Sequence, residues 1–365
     1  MVLIFKGKIA ALAAAALLLS ASPAGAAGAD YPGTSADCAV VMHSGGRCVY
    51  EKNADRRALI ASTTKLMTAL VTLENAELEE SVEIKREYCE PEGSSMYLRP
   101  GETRTVRELL LGLLLVSGND AALALAGHVS GGEEEFVALM NRRARELRMT
   151  GTSFANPHGL DAKGHYSTAR DMATLMLACM EDARFRELCG TKSCRLGEDT
   201  LQNHNRLLWS CPGCTAGKTG YTMAAGRCLV SCCEREGTLF VCVTLSDPDD
   251  WNDHQRLYDW AFSRYSVREL CRGLSFDVPV VSGSAATVSV VPAEELRELL
   301  PKSAEISVVA EMPKFIFAPV KMGETAGQIW FIMKGEKIAG CRLVYAGDVA
   351  LAQRCGYFGA VWEKL

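Results

Sequence analysis

Two hydrophobic periodicities alternate along this chain, and their order limits the fold more than any other feature. An extended pattern comes first: Cys38–Val41 and Arg47–Glu51 flank His43-Ser-Gly-Gly46 and read as a β-hairpin. From Ser62 to Ala76 the pattern turns helical and is apolar on most sides, with Leu66, Met67, Leu70, Val71 and Leu73, which marks a buried helix. Helical patterns follow over Val106–Val116, Asn119–Val129, Glu133–Arg148 and Thr168–Cys179, the last opened by a cap-like Thr168/Asp171 pair. Strand signals return at Thr215–Tyr221, Arg227–Glu234 and Thr238–Leu245, with Glu236-Gly237 as the turn between the last two. An amphipathic helix, Asp253–Tyr265, closes the region. Strands at both ends with helices between them predict an α+β unit: one antiparallel sheet shared by the first and last parts, flanked by helices, with an all-helical subdomain inserted.

Past Cys271 the texture changes. Phe276–Val281, Ala286–Val291, Ile306–Glu311 and Gln328–Tyr345, the last folding back at Lys334-Gly335-Glu336, predict a separate small all-β domain over residues 275–349. A chain of 365 residues, 48% hydrophobic, is long enough for both domains. Its formal net charge of -5 leaves no broad basic face, so no nucleic-acid partner is expected.

Both ends of the chain carry signals of their own. Lys6 and Lys8 precede the apolar run Ile9–Leu19, and Ala24-Gly25-Ala26 follows it, the pattern of a secretory signal peptide over residues 1–26. The apolar run of about 11–13 residues falls short of the roughly 20 that cross a bilayer. The expected location is therefore extracytoplasmic. At the far end, Leu351, Cys355, Phe358, Trp362 and Leu365 recur at helical spacing and make residues 350–365 a short amphipathic tail. Its apolar stripe either packs on the β-rich domain or lies on a membrane face, and Gly356 and Gly359 weaken it, so peripheral membrane contact through it would be weak without a second signal.

The cysteines number 15, so at least one has no partner within the chain. Cys211-Pro-Gly-Cys214 is close enough for a local bridge, but no thioredoxin-like pattern surrounds it, which leaves a loop staple or two free thiols. A passive role is preferred to redox adjustment of the strand that follows. Cys232 and Cys233, adjacent in a strand, point to opposite faces and suit packing. The six histidines are scattered and no His-Glu-x-x-His occurs, so neither a metal nor a cofactor is expected.

Three motifs carry chemistry. Ser62-Thr63-Thr64-Lys65 opens the buried helix, where residues i and i+3 share a face and a serine hydroxyl can meet a lysine amine. A helix N-terminus offers free N–H groups to a developing oxyanion, and a desolvated lysine can lose its proton and act as a base. Ser117-Gly118-Asn119 lies between two helices. It either turns two hydrogen-bonding side chains into a cleft or is a C-cap glycine followed by an N-cap asparagine. Lys218-Thr219-Gly220 lies on a strand, where a glycine lets another backbone or a ligand come close.

Ser-x-x-Lys, Ser-x-Asn and Lys-Thr-Gly in this order resemble the penicillin-recognising serine acyl-transferases and class A β-lactamases. Between them, Gly93-Ser-Ser-Met96, Leu113-Leu-Leu-Val-Ser-Gly-Asn-Asp-Ala-Ala122, Asn156-Pro-His-Gly-Leu160, His165-Tyr-Ser-Thr168 and Lys218-Thr-Gly-Tyr-Thr222 are similar to the low-molecular-mass penicillin-binding proteins, the serine-type D-alanyl-D-alanine carboxypeptidases. The match covers nearly all of Asp37–Val349, and the β-rich part resembles that family's stalk domain. The resemblance implies a β-lactamase/D,D-peptidase-like catalytic domain over residues 27–271. It also implies hydrolysis of the terminal D-alanine of peptidoglycan stem peptides, with β-lactams as covalent inhibitors. Carried onto this chain, it makes Ser62 the nucleophile, Lys65 its base, and Ser117 a proton relay toward the leaving D-alanine. Asn119 would hold the substrate amide and steady Lys65, and Lys218 and Thr219 would meet the terminal carboxylate beside Gly220. The N–H groups of Ser62 and Tyr221 would form the oxyanion hole.

Two departures bear on the alternatives. The middle motif is Ser-Gly-Asn, where many β-lactamases have Ser-Asp-Asn. Class A β-lactamases also use a Glu in a Glu-x-x-Leu-Asn loop, and here the nearest stretch, ending Met140-Asn141, has Val137 at that place. A carboxypeptidase is thus preferred to a class A-like β-lactamase, and the complete motif set to a non-catalytic wall-binding or penicillin-sensing protein. His158 is left out of the catalytic set, since a structural turn histidine explains it as well.

Overall fold

The computed structural model describes residues 2–4 and 31–352. Apart from Val2–Ile4, the signal peptide read over 1–26 lies outside the described residues, as does the amphipathic tail beyond residue 352. The described residues divide into two compact units, one of residues 31–264 and one of residues 265–352 with 2–4.

The first unit is built on a five-stranded antiparallel sheet. In chain order its strands are β1 (Cys38–His43), β2 (Cys48–Lys52), β3 (Cys214–Thr222), β4 (Gly226–Arg235) and β5 (Thr238–Leu245), arranged β2-β1-β5-β4-β3. The N-terminal hairpin therefore pairs with the last strand, Val41 opposite Cys242, as expected from the order of the periodicities. Val241, Cys242 and Val243 are all fully buried, because both faces of the sheet are covered, so β5 reads as a continuous apolar run. On β4, Cys232 joins the main core, while Ser231 on the other face hydrogen-bonds His254 and Tyr258. Glu236 and Gly237 both take positive φ (50° and 70°), the condition for a tight turn whose twist matches that of the strands.

Helix α1 (Lys65–Asn75) is surrounded by α2 (Val106–Leu115), α3 (Asn119–Ser130), α4 (Glu133–Glu146), α5 (Ala169–Glu181) and α6 (Ala183–Gly190). Every residue from Lys65 to Leu73 is buried, which is why the sequence of α1 shows no polar stripe. Helix α7 (Asp250–Arg264) packs on β4 and β5.

The second unit is an all-β domain. Its longest hairpin joins Thr325–Met333 to Glu336–Tyr345 through Lys334 and Gly335, both at positive φ. Ile306–Glu311 flanks it on one side, with Val2–Ile4 beyond, and Thr287–Pro292 and Phe276–Val281 flank it on the other. Val278, Val290, Ile329, Phe331, Leu343 and Tyr345 form its own core. Tyr265–Glu269 pairs with Arg297–Pro301, so the boundary between units falls at 264/265 rather than near 271.

Candidate active site

The turn before α1 places the first motif. Ala61–Thr64 is a 3₁₀ turn, and Ala61 holds φ of +46°, a left-handed conformation that costs a residue with a Cβ. Ser62 is half-buried and Lys65 fully buried. Lys65 Nζ lies 3.0 Å from Ser62 Oγ, 2.6 Å from Asn119 Oδ1 and 2.5 Å from the His158 carbonyl oxygen. Burial, aided by the nearby charge of Lys218, holds the Lys65 amine well below the usual lysine range.

The second motif sits at the mouth of α3. Ser117 carries the positive φ (+64°), while Gly118, at φ -56°, is a glycine for lack of room: a Cβ there would lie 2.7 Å from Asp120 Oδ1. Asn119 does not cap the helix with its side chain. It accepts from Lys65 and donates through Nδ2 to the Glu92 carbonyl (2.6 Å), so it joins the first motif to the 92–98 loop. Buried Asp120 ties the same loop down, accepting from Met96 N, Ser95 Oγ and Leu98 N. That role had no sequence signal of its own beyond a place in the Gly-Asn-Asp run.

The third motif lies on β3. Lys218 is buried and donates to Ser117 Oγ (3.0 Å) and to the Thr219 carbonyl (2.7 Å). Burial lowers its amine to about 7. Two buried lysines thus each face a serine across one small volume. A Cβ on Gly220 would stand 3.0 Å from both Ile60 O and Ser62 N, so the close backbone approach read from the sequence is made to the Ser62 turn itself. Ser62, Ser117, Thr219, Gly220 and Tyr221 line one open cleft of about 1060 Å³, and Tyr221 is largely exposed at its rim. His204, Trp209, Arg227 and Trp251 line it as well.

Two histidines brace this arrangement. The ring of His165, lowered to about 4 by burial, is neutral at pH 7. Its Nδ1 accepts from Ala155 N (3.0 Å), so Nε2 carries the proton and donates to Thr64 Oγ1 (2.8 Å). Thr64 in turn donates to the Ala61 carbonyl (2.8 Å), fixing the strained turn that holds Ser62. His158, also lowered to about 4 by burial, meets Lys65 through its carbonyl and not its ring. Gly159, at φ +93°, lets the Asn156-Pro-His-Gly turn lie against Ala61, where a Cβ would come within 2.1 Å of the carbonyl oxygen. Sequence reasoning named these stretches but assigned neither histidine a contact, since no spacing rule connects residue 165 to residue 64.

The family model described as D-alanyl-D-alanine carboxypeptidase matches residues 25–249. The chain belongs to the D-alanyl-D-alanine carboxypeptidase family. Among its relatives is the D-alanyl-D-alanine carboxypeptidase DacF of Bacillus subtilis, 34% identical over 312 residues, with 80% of each chain covered. DacC of Escherichia coli is 32% identical over 363 residues, covering 92% of this chain and 88% of the relative. Among solved structures, penicillin binding protein 5 of Haemophilus influenzae superposes with a TM-score of 0.71 at 27% identity, over 88% of this chain and 100% of the other. As a member of the D-alanyl-D-alanine carboxypeptidase family, the chain is a serine-type hydrolase with the fold of the penicillin-binding proteins. Val137, the residue at the glutamate's place in the stretch ending Met140-Asn141, lies inside helix α4 and packs against the apolar core, and Asn141 bonds the backbone of Phe154. No helix among the described residues is long and apolar enough to cross a membrane.

Proposed function

We propose that this protein removes the terminal D-alanine of peptidoglycan stem pentapeptides through an acyl-enzyme on Ser62. The observation that carries this reading is the set of partners around Lys65 Nζ. In the neutral form that its burial favours, the Lys65 amine has two N–H groups and one lone pair. Asn119 Oδ1 and the His158 carbonyl can only accept, so they take the two N–H groups, and the lone pair is left for the Ser62 hydroxyl. Lys65 is then built to take the proton of Ser62 as Oγ attacks the penultimate D-alanine carbonyl.

The remaining roles follow from position in the cleft. The oxyanion is received by the N–H groups of Ser62 and Tyr221, which Gly220 allows to approach each other. Ser117, held by Lys218, passes a proton to the leaving amine. Lys218 and Thr219 meet the terminal carboxylate, and Asn119 holds the substrate amide together with Lys65. Water completes the hydrolysis. β-Lactams acylate Ser62 by the same route and persist on it, because the sequence carries no Glu-x-x-Leu-Asn loop of the kind with which class A β-lactamases speed release. The enzyme is exported by the leader over residues 1–26 and acts on the cell wall. The unit that ends at Arg264 carries catalysis, the all-β unit that follows it forms a stalk, and the 350–365 tail gives weak contact with the membrane face.

A fluorescent penicillin should label the purified protein covalently, and D-alanine should be released from a pentapeptide substrate. Both are expected to vanish in Ser62→Ala. Labelling that survives this change would overturn the nucleophile, and labelling without D-alanine release would favour a penicillin sensor. Rapid turnover of a chromogenic cephalosporin would favour a β-lactamase.

A further inference from the structure

We propose that Cys211 and Cys233 form a reversible disulfide that staples the turn entering the active-site strand β3 to its neighbour β4. The Cys211-Pro-Gly-Cys214 turn is folded over residues 233–235. Glu234 N donates to the Gly213 carbonyl (2.8 Å), while Arg235 Nε (3.0 Å) and Cys233 Sγ (3.3 Å) both reach the Pro212 carbonyl. Gly213 is required there: at φ +84°, a Cβ would come within 2.4 Å of Glu234 O. This clamp brings the thiols of Cys211 and Cys233 into hydrogen-bonding contact, with Arg235 Nη2 3.7 Å from Cys211 Sγ and Asp259 behind Arg235.

The pairing differs from the one that the Cys-x-x-Cys spacing suggests. Cys214 turns its sulfur away, toward the Ala216 carbonyl and the Asn205 amide, and burial pushes its thiol up to about 12. Contact with Cys233 and the charge of Arg235 hold the Cys211 thiol below its usual range, while the same contact and burial push Cys233 up. Contact alone does not make a reactive pair. In the second unit Cys271 and Cys341 also touch, yet burial pushes Cys271 up to about 11.

The oxidant is a low-molecular-mass disulfide. The Cys211 thiolate attacks one of its sulfurs and expels the first small thiol. Cys233 then gives up its proton and attacks the Cys211 sulfur, expelling the second. Two electrons leave the cysteine pair, one disulfide forms, and the small disulfide is reduced to two thiols.

The test uses the full chain, reduced and then incubated with oxidised glutathione at neutral pH, alkylated, digested and mapped by mass spectrometry without reduction. The expected product is a cross-linked peptide whose fragmentation assigns the bridge to Cys211 and Cys233, reversed by dithiothreitol, with Tm raised by about 5 °C. In Cys233→Ser, Cys211 should instead retain glutathione as a mixed disulfide. A bridge between Cys211 and Cys214, or recovery of both Cys211 and Cys233 in alkylated form, would overturn the proposal. The map of the unaltered protein decides this by itself if the variant does not fold, and it does not depend on the catalytic reading.

Discussion

Single atoms decide how near the two halves of the site can come. Gly220 is the clearest case, because its missing Cβ is what lets β3 lie against Ile60 O and Ser62 N. Gly220→Ala should slow acylation by a β-lactam at least about tenfold, roughly 1.4 kcal/mol in the barrier. Tm should change by no more than a few degrees, since the strain is confined to one contact. Stopped-flow acylation and a thermal melt measure the two effects separately, and unchanged acylation would show that the approach of the strands is not what the chemistry needs. The Ser62–Lys65 contact was legible because it is local: three residues along a helix bring side chains to one face. The Lys218–Ser117 contact spans 101 residues and the Thr64–His165 contact an equal distance, and no periodicity encodes either. Only the resemblance to a family grouped the three motifs.

At the scale of elements, legibility follows burial. Thr238–Leu245, Phe276–Val281 and Ile306–Glu311 have the limits read from the sequence, since apolar runs and clean alternation mark them. The short strand pairs Ser81–Glu83 with Thr103–Thr105, and Ser193–Leu196 with Asp199–Gln202, have no signal in the sequence. They are mostly polar and bury little, so they leave no pattern. Helix α7 begins at Asp250, three residues before the expected start, because Asp253 does not cap it. The Asp253 carboxylate accepts instead from Thr34 Oγ1 and Ser35 N. At α5 the expected cap is present: Thr168 Oγ1 accepts from Asp171 N at 3.1 Å. Thr168→Ala should therefore cost about 1 kcal/mol, a fall in Tm of about 3 °C, with labelling by penicillin retained. A melt that does not move would mean that the cap adds nothing to the packing of a helix already buried along one face.

At the scale of the whole molecule, the first unit is closed by joining its beginning to its end. Asp37 N bonds the Leu245 carbonyl, and Ser35 Oγ donates to Asp247 Oδ1 at 2.5 Å while lying 2.9 Å from Asp253 Oδ2. Asp247 is fully buried here, facing the Asp253 carboxylate, with Arg256 paired to Asp253 from the far side. Burial pushes the Asp247 carboxyl up to about 6, and the neighbouring carboxylate adds to the rise. In the unfolded chain the same group titrates near 3.9, so between about pH 4 and 6 the folded state holds a proton that the unfolded state has released. This group's contribution is therefore greatest at the acid end, falls as pH rises through that window, and stays constant above it. Asp247→Asn keeps an acceptor for Ser35 but cannot titrate. The Tm of the native protein minus that of the variant should fall between pH 5 and about 6.5 and then level off. A difference that stays constant across that range would mean that Asp247 is ionised throughout, and that the seam between the two ends of the unit is held by a charge.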